Sequence, residues 1–121
     1  MAALSDDMRD YFDEFVEEVI ESLPASIRKT LESVPLIVED RPTKSIMKSM
    51  QVADPDELQG LYSHSPPTIH LFRRGILLLS TTDDDEIDED ELVEQIRVTI
   101  LHEIAHHRGF DEGEVGELGY E

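Results

Sequence analysis

His102 and His106 stand four residues apart near the end of the chain, with Glu103 directly after the first histidine. A helix repeats every ~3.6 residues, so positions i and i+4 lie on one face about a turn apart, and two imidazoles so placed reach one metal ion. Glu103, turned by about 100° around the axis, is placed to hold a water beside that ion without ligating it. The spacing is the H-E-x-x-H pattern, and the chemistry it suggests is metal-assisted hydrolysis, most often of a peptide bond.

A catalytic zinc ordinarily takes three protein ligands and leaves a fourth position open. The extended pattern H-E-x-x-H-x-x-G-x-x-H places its third ligand three residues past the glycine. Here Gly109 occupies the glycine position and Glu112 the third-ligand position. A carboxylate is a competent zinc ligand, so Glu112 is the expected third ligand, with Asp111 as its competitor and Glu114 a remote choice. His107 projects to the flank of the same helix and reads as a packed or capping residue. His64 and His70 read as a loop and a strand residue, outside the metal group.

These residues need a rigid carrier. Upstream, Glu91 to Leu101 contains neither Gly nor Pro, and Val93, Ile96, Ile100 and Ile104 form an apolar stripe opposite the two histidines. One side of this helix should be buried and the other should face a cleft, with Gly109 ending it. The acidic run Thr81 to Asp90 should supply a solvated linker and the helix N-cap; its spacing does not match a calcium-binding EF-hand loop.

Ser5 to Leu23 reads as an amphipathic helix with Ser5 as N-cap and Met8, Phe12, Phe15, Val16, Val19, Ile20 and Leu23 on its apolar face. Pro24 ends it, Ala25 to Ser33 forms a second helix, and Pro35 stops that one. Leu36 to Asp40, Leu58 to Tyr62 and Thr68 to Phe72 read as short strands. A helical turn is expected around Ser45 to Met50, with Met47 and Met50 filling gaps in or beside the core. Arg73-Arg74-Gly75 reads as a turn, and Ile76 to Ser80 fits either a strand or a short helix.

The 121 residues suffice for one domain with one small core, given 39% hydrophobic residues. Cysteine is absent, so any metal must be held by nitrogen and oxygen ligands. A net charge of −19 argues against direct contact with nucleic acid and permits a basic peptide or protein partner. No signal peptide or membrane span is visible, which makes a cytoplasmic location the expectation. Oligomeric state is left open.

The order of helices, short strands and a long helix ending in H-E-x-x-H resembles the small bacterial zincin-like metallopeptidase family, a minimal zincin fold. The resemblance rests on Leu36 to Asp40, Leu58 to Tyr62, Thr68 to Arg74, Val98 to His107, Gly109 and Leu118 to Tyr120. It implies an α+β fold: N-terminal helices, a small mixed sheet and a long C-terminal helix carrying the motif, as a single domain over residues 1–121. The family carries an aspartate at the position of Glu112, which implies a carboxylate third ligand. The Met-turn of metzincins has no counterpart, because no methionine follows Met50.

The expected function is therefore that of a zinc metallopeptidase hydrolysing peptide bonds with a zinc-activated water. His102, His106 and Glu112 would hold zinc and Glu103 would act as general base. Zincins commonly bind substrate as an added strand on a sheet edge, and Thr68 to Phe72 is the expected edge. Tyr120 is a candidate donor to the oxyanion, set back by its place as the second-to-last residue. The alternative is a non-enzymatic, zinc-stabilised protein-binding domain.

Overall fold

Ser5 begins the first helix by accepting a 3.1 Å hydrogen bond from the Met8 amide, as a serine N-cap should. A computed structural model of the chain describes residues 3–109. Helix α1 runs Asp6–Ser22 and buries Phe12, Val16 and Val19, with Leu23 just past its end. That stripe packs on the C-terminal helix. Pro24 opens α2 (Ala25–Ser33), which buries Ile27.

Strand β1 (Leu36–Glu39) leads to the short helix α3 (Lys44–Ser49), whose N-cap is Thr43. A single 3-10 turn, Pro55–Glu57, precedes β2 (Gly60–His64), and a tight turn at Ser65 and Pro66 joins it to β3 (Pro67–Phe72). The three strands form a mixed sheet in the order β1-β3-β2. β1 lies parallel to β3 with Leu36 opposite Ile69, and β2 lies antiparallel to it with Tyr62 opposite Ile69.

The Phe72 amide donates to the Gln59 carbonyl at 2.9 Å, while the Ile69 amide donates to Pro35 at 2.9 Å. Backbone groups alternate in direction along a strand, so Leu61 and Ser63 turn theirs toward β3. Those of Gly60, Tyr62 and His64 point away from it, along the outer edge of the sheet.

This corrects the expected edge. Thr68 to Phe72 lies in the central strand, flanked on both sides, and β2 is an edge strand among the described residues. The reason is burial: Ile69, Leu71 and Phe72 are all fully buried, so β3 is apolar on both faces, as a central strand must be. The more polar Gly-Leu-Tyr-Ser-His of β2 suits an edge.

Helix α4 (Arg73–Leu79) resolves a second ambiguity. The expected turn at Arg73-Arg74-Gly75 is its first helical turn, held by partners distant in sequence. Arg73 donates to Asp13 at 2.9 Å and Asp40 at 3.0 Å, and the buried Arg74 donates to Asp56 at 3.1 Å. A Cβ on Gly75 would come within 2.2 Å of the Leu58 carbonyl oxygen, so only glycine lets this helix lie against the chain leading into β2. Asp40 also accepts from Arg9 at 2.7 Å. The Arg9 hydrogen bond, followed by that of Arg73, holds its carboxyl below the usual carboxylate range.

The long helix α5 (Glu89–His107) starts at Asp88, whose side chain accepts from the Glu91 amide at 3.2 Å. Three further acids occupy its first turn and two histidines its last, the arrangement the helix dipole favours. Tyr11 on α1 donates to Glu89 at 2.7 Å; burial first, and then this contact with a carboxylate, push its phenol up to about 12. Ile96, Ile100 and Ile104 are buried as the sequence stripe requires. Leu92 is buried where Val93 was expected, and Val93 packs at the core's margin. No helix among the described residues is long and apolar enough to cross a membrane.

Candidate metal centre

The end of α5 carries the grouped His102, Glu103 and His106. His102 and His106 bring their Nε2 atoms to 3.1 Å of each other, with ring centroids 4.8 Å apart. Two imidazole nitrogens each ~2.05 Å from a tetrahedral zinc would be separated by ~3.3 Å, so the pair is spaced as one ion requires. Glu103 completes the group: ligand atoms of His102, Glu103 and His106 all lie within 4.8 Å of one another and could hold a metal. Both histidines are half-buried and Glu103 is buried.

The sheet edge supplies the opposite wall. A Cβ on Gly60 would stand 2.6 Å from Thr99 Cγ2 and 3.5 Å from a Glu103 carboxylate oxygen. The missing side chain is therefore what lets β2 pass close over this turn of α5. Two residues along, the Tyr62 hydroxyl and His107 Nδ1 share a 2.8 Å hydrogen bond, and their rings meet edge to face. His107 is thus occupied with the edge strand, in keeping with its expected packing role.

Between α5 and β2 lies a cleft of about 850 Å³. Its floor is His102, Glu103 and His106 with Gln95, Val98 and Thr99 before them; Leu58 to Tyr62, His64, Met50 and Gly109 complete the lining. Gly109 has φ +91°, a left-handed value that ends the helix where the sequence requires.

The remaining expectations divide cleanly. His64, read as a loop residue, is the last residue of β2, set edge to face against Tyr62. His70 lies on the sheet's other face, paired with Glu39 at 2.7 Å and stacked on Phe72. Met50, expected to fill a gap in or beside the core, is exposed and lines the cleft wall. Glu112, Asp111, Glu114 and Tyr120 fall outside the described residues. Gly60, Tyr62 and Met50 were missed as site residues. A glycine within a strand signals close backbone approach and could have flagged the first; nothing local marks the other two.

No curated protein matches the chain. A family model described as zincin-like metallopeptidase matches residues 63–120, a span that takes in β3, α4 and all of α5 with its H-E-x-x-H. Over that segment the chain is similar to the zincin-like metallopeptidases.

Proposed function

We propose that the protein is a zinc metallopeptidase. The observation that carries this reading is the meeting, in one cleft, of paired His102 and His106 nitrogens, the Glu103 carboxylate and β2, an edge strand among the described residues. His102 and His106 would hold zinc, with Glu112 as third ligand by its spacing from Gly109. Zinc, when bound, supplies Lewis acidity toward the scissile carbonyl and lowers the pKa of a water toward neutrality.

The chain's own residues do the rest. Glu103 takes the proton of the attacking water on a carboxylate oxygen and returns it to the departing amine. Its burial beneath Gly60 keeps it close to the edge strand. The outward N–H and C=O groups of Gly60, Tyr62 and His64 pair with a substrate backbone as an added strand, which fixes the scissile bond over the floor of the cleft.

The test compares wild type with Glu103→Gln, each reconstituted with zinc, on a peptide library read by mass spectrometry. Cleavage by wild type and its loss in a variant that still holds zinc supports the reading. Zinc in both and cleavage in neither assigns the fold to a metal-stabilised binding domain.

A further inference from the structure

We propose that the cleft selects peptides by one large apolar side chain, of the Leu or Met class, seated against Met50, Leu58 and Val98, and that the acidic surface acts only on the approach of substrate. This deepens the peptidase reading and rests on it for the identity of the occupant.

Helix α5 and strand β2 run in the same direction, since Thr99 and Glu103 lie against Gly60 and His107 lies against Tyr62 further along both. Leu58 precedes Gly60 as Val98 precedes Thr99, so both wall the stretch of cleft ahead of Glu103. Met50 lines the same cleft and is 43% exposed, so an apolar partner there removes surface from water. The neutral Gln59 and Gln95 are the polar neighbours of this stretch.

Charge tells the same story from the other side. The chain carries 29 acids against 10 basic residues, yet Glu103 is the one acid among the described residues lining the cleft, and none of them is Lys or Arg. The acids lie outside: Glu14, Glu17, Glu18 and Glu21 on α1, and Asp83 to Glu86 in the acidic loop, are exposed. A lysine side chain entering the cleft would lose its hydration there and find, among the described lining residues, only the carboxylate needed as general base. A leucine would lose only apolar hydration. Met50 and Leu58 also precede residue 63, where the family match begins, so this side of the wall lies outside that match, while Val98 lies within it.

The experiment titrates zinc-loaded Glu103→Gln protein, full chain, with short blocked peptides flanked by lysines. One position is varied among Leu, Ala and Lys and moved along the peptide at constant flanks. At one position Leu should bind at least about tenfold tighter than Lys. Added salt should weaken all peptides while preserving the Leu-over-Ala ratio, because screening acts on the outer charge. Met50→Glu, at an exposed position that tolerates it, should narrow the Leu-over-Lys ratio severalfold. Lys binding as tightly as Leu at every position, an unchanged ratio in Met50→Glu, or no peptide binding at all overturns the proposal. Cleavage of the same series by wild type is scored separately. Leu-selective binding without cleavage removes the peptidase reading and keeps the apolar subsite; cleavage without selectivity does the reverse.

Discussion

The Tyr62 hydroxyl lies 2.8 Å from Nδ1 of His107, which ties the edge strand to the metal helix one residue beyond His106. The bond joins strand and helix at the end where α5 finishes. Tyr62→Phe keeps the ring and removes the bond. It should cost about 0.5–1.5 kcal/mol of stability, measured by urea unfolding. It should also weaken zinc binding severalfold, because the His106 turn loses its brace. Unchanged zinc affinity would show that α5 alone holds the histidine pair.

Metal content is the most direct test of the centre. Reconstituted protein should bind one zinc per chain, and His102→Ala or His106→Ala should abolish that binding. Glu112→Ala should weaken it more than Asp111→Ala; the reverse order moves the third ligand to Asp111. Affinity should fall in acid, since imidazole ligates only when neutral. Isothermal titration with competing chelators reads all of these.

On the proposed peptidase reading, catalysis turns on one carboxylate. Glu103→Gln preserves shape and hydrogen-bonding reach but cannot take a proton. It should keep zinc and lose roughly 10²-fold or more in kcat. Equal cleavage by variant and wild type would assign the activity to a different base.

Asp40 links the start of α1, the end of β1 and the start of α4 through Arg9 and Arg73. Its folded pKa is lowered, chiefly by the Arg9 hydrogen bond. The stabilisation is therefore present above the unfolded carboxylate pKa of about 3.9 and is lost as pH falls through the lower folded value. Asp40→Asn should cost about 1–3 kcal/mol at neutral pH, by loss of charge-assisted bonds. The two proteins' unfolding midpoints should converge as pH falls below about 4; a constant gap down to the acid limit would place the effect in packing.

What the sequence determined by itself was local. H-E-x-x-H, the apolar stripe at Ile96, Ile100 and Ile104, the caps at Ser5 and Asp88, and the stop at Gly109 follow from helical period and terminal chemistry, which act within a few residues. The sheet edge was decided only by tertiary structure. Leu58 to Tyr62 and Thr68 to Phe72 both read as strands, and which becomes central depends on burial of both faces against other elements. Arg73-Arg74-Gly75 carried no helical signal of its own; Asp13, Asp40 and Asp56 hold it as a helix from up to 60 residues away in sequence. Likewise Gly60, Tyr62 and Met50 acquire their places in the cleft from the approach of β2 to α5, a long-range packing relation that no local spacing encodes.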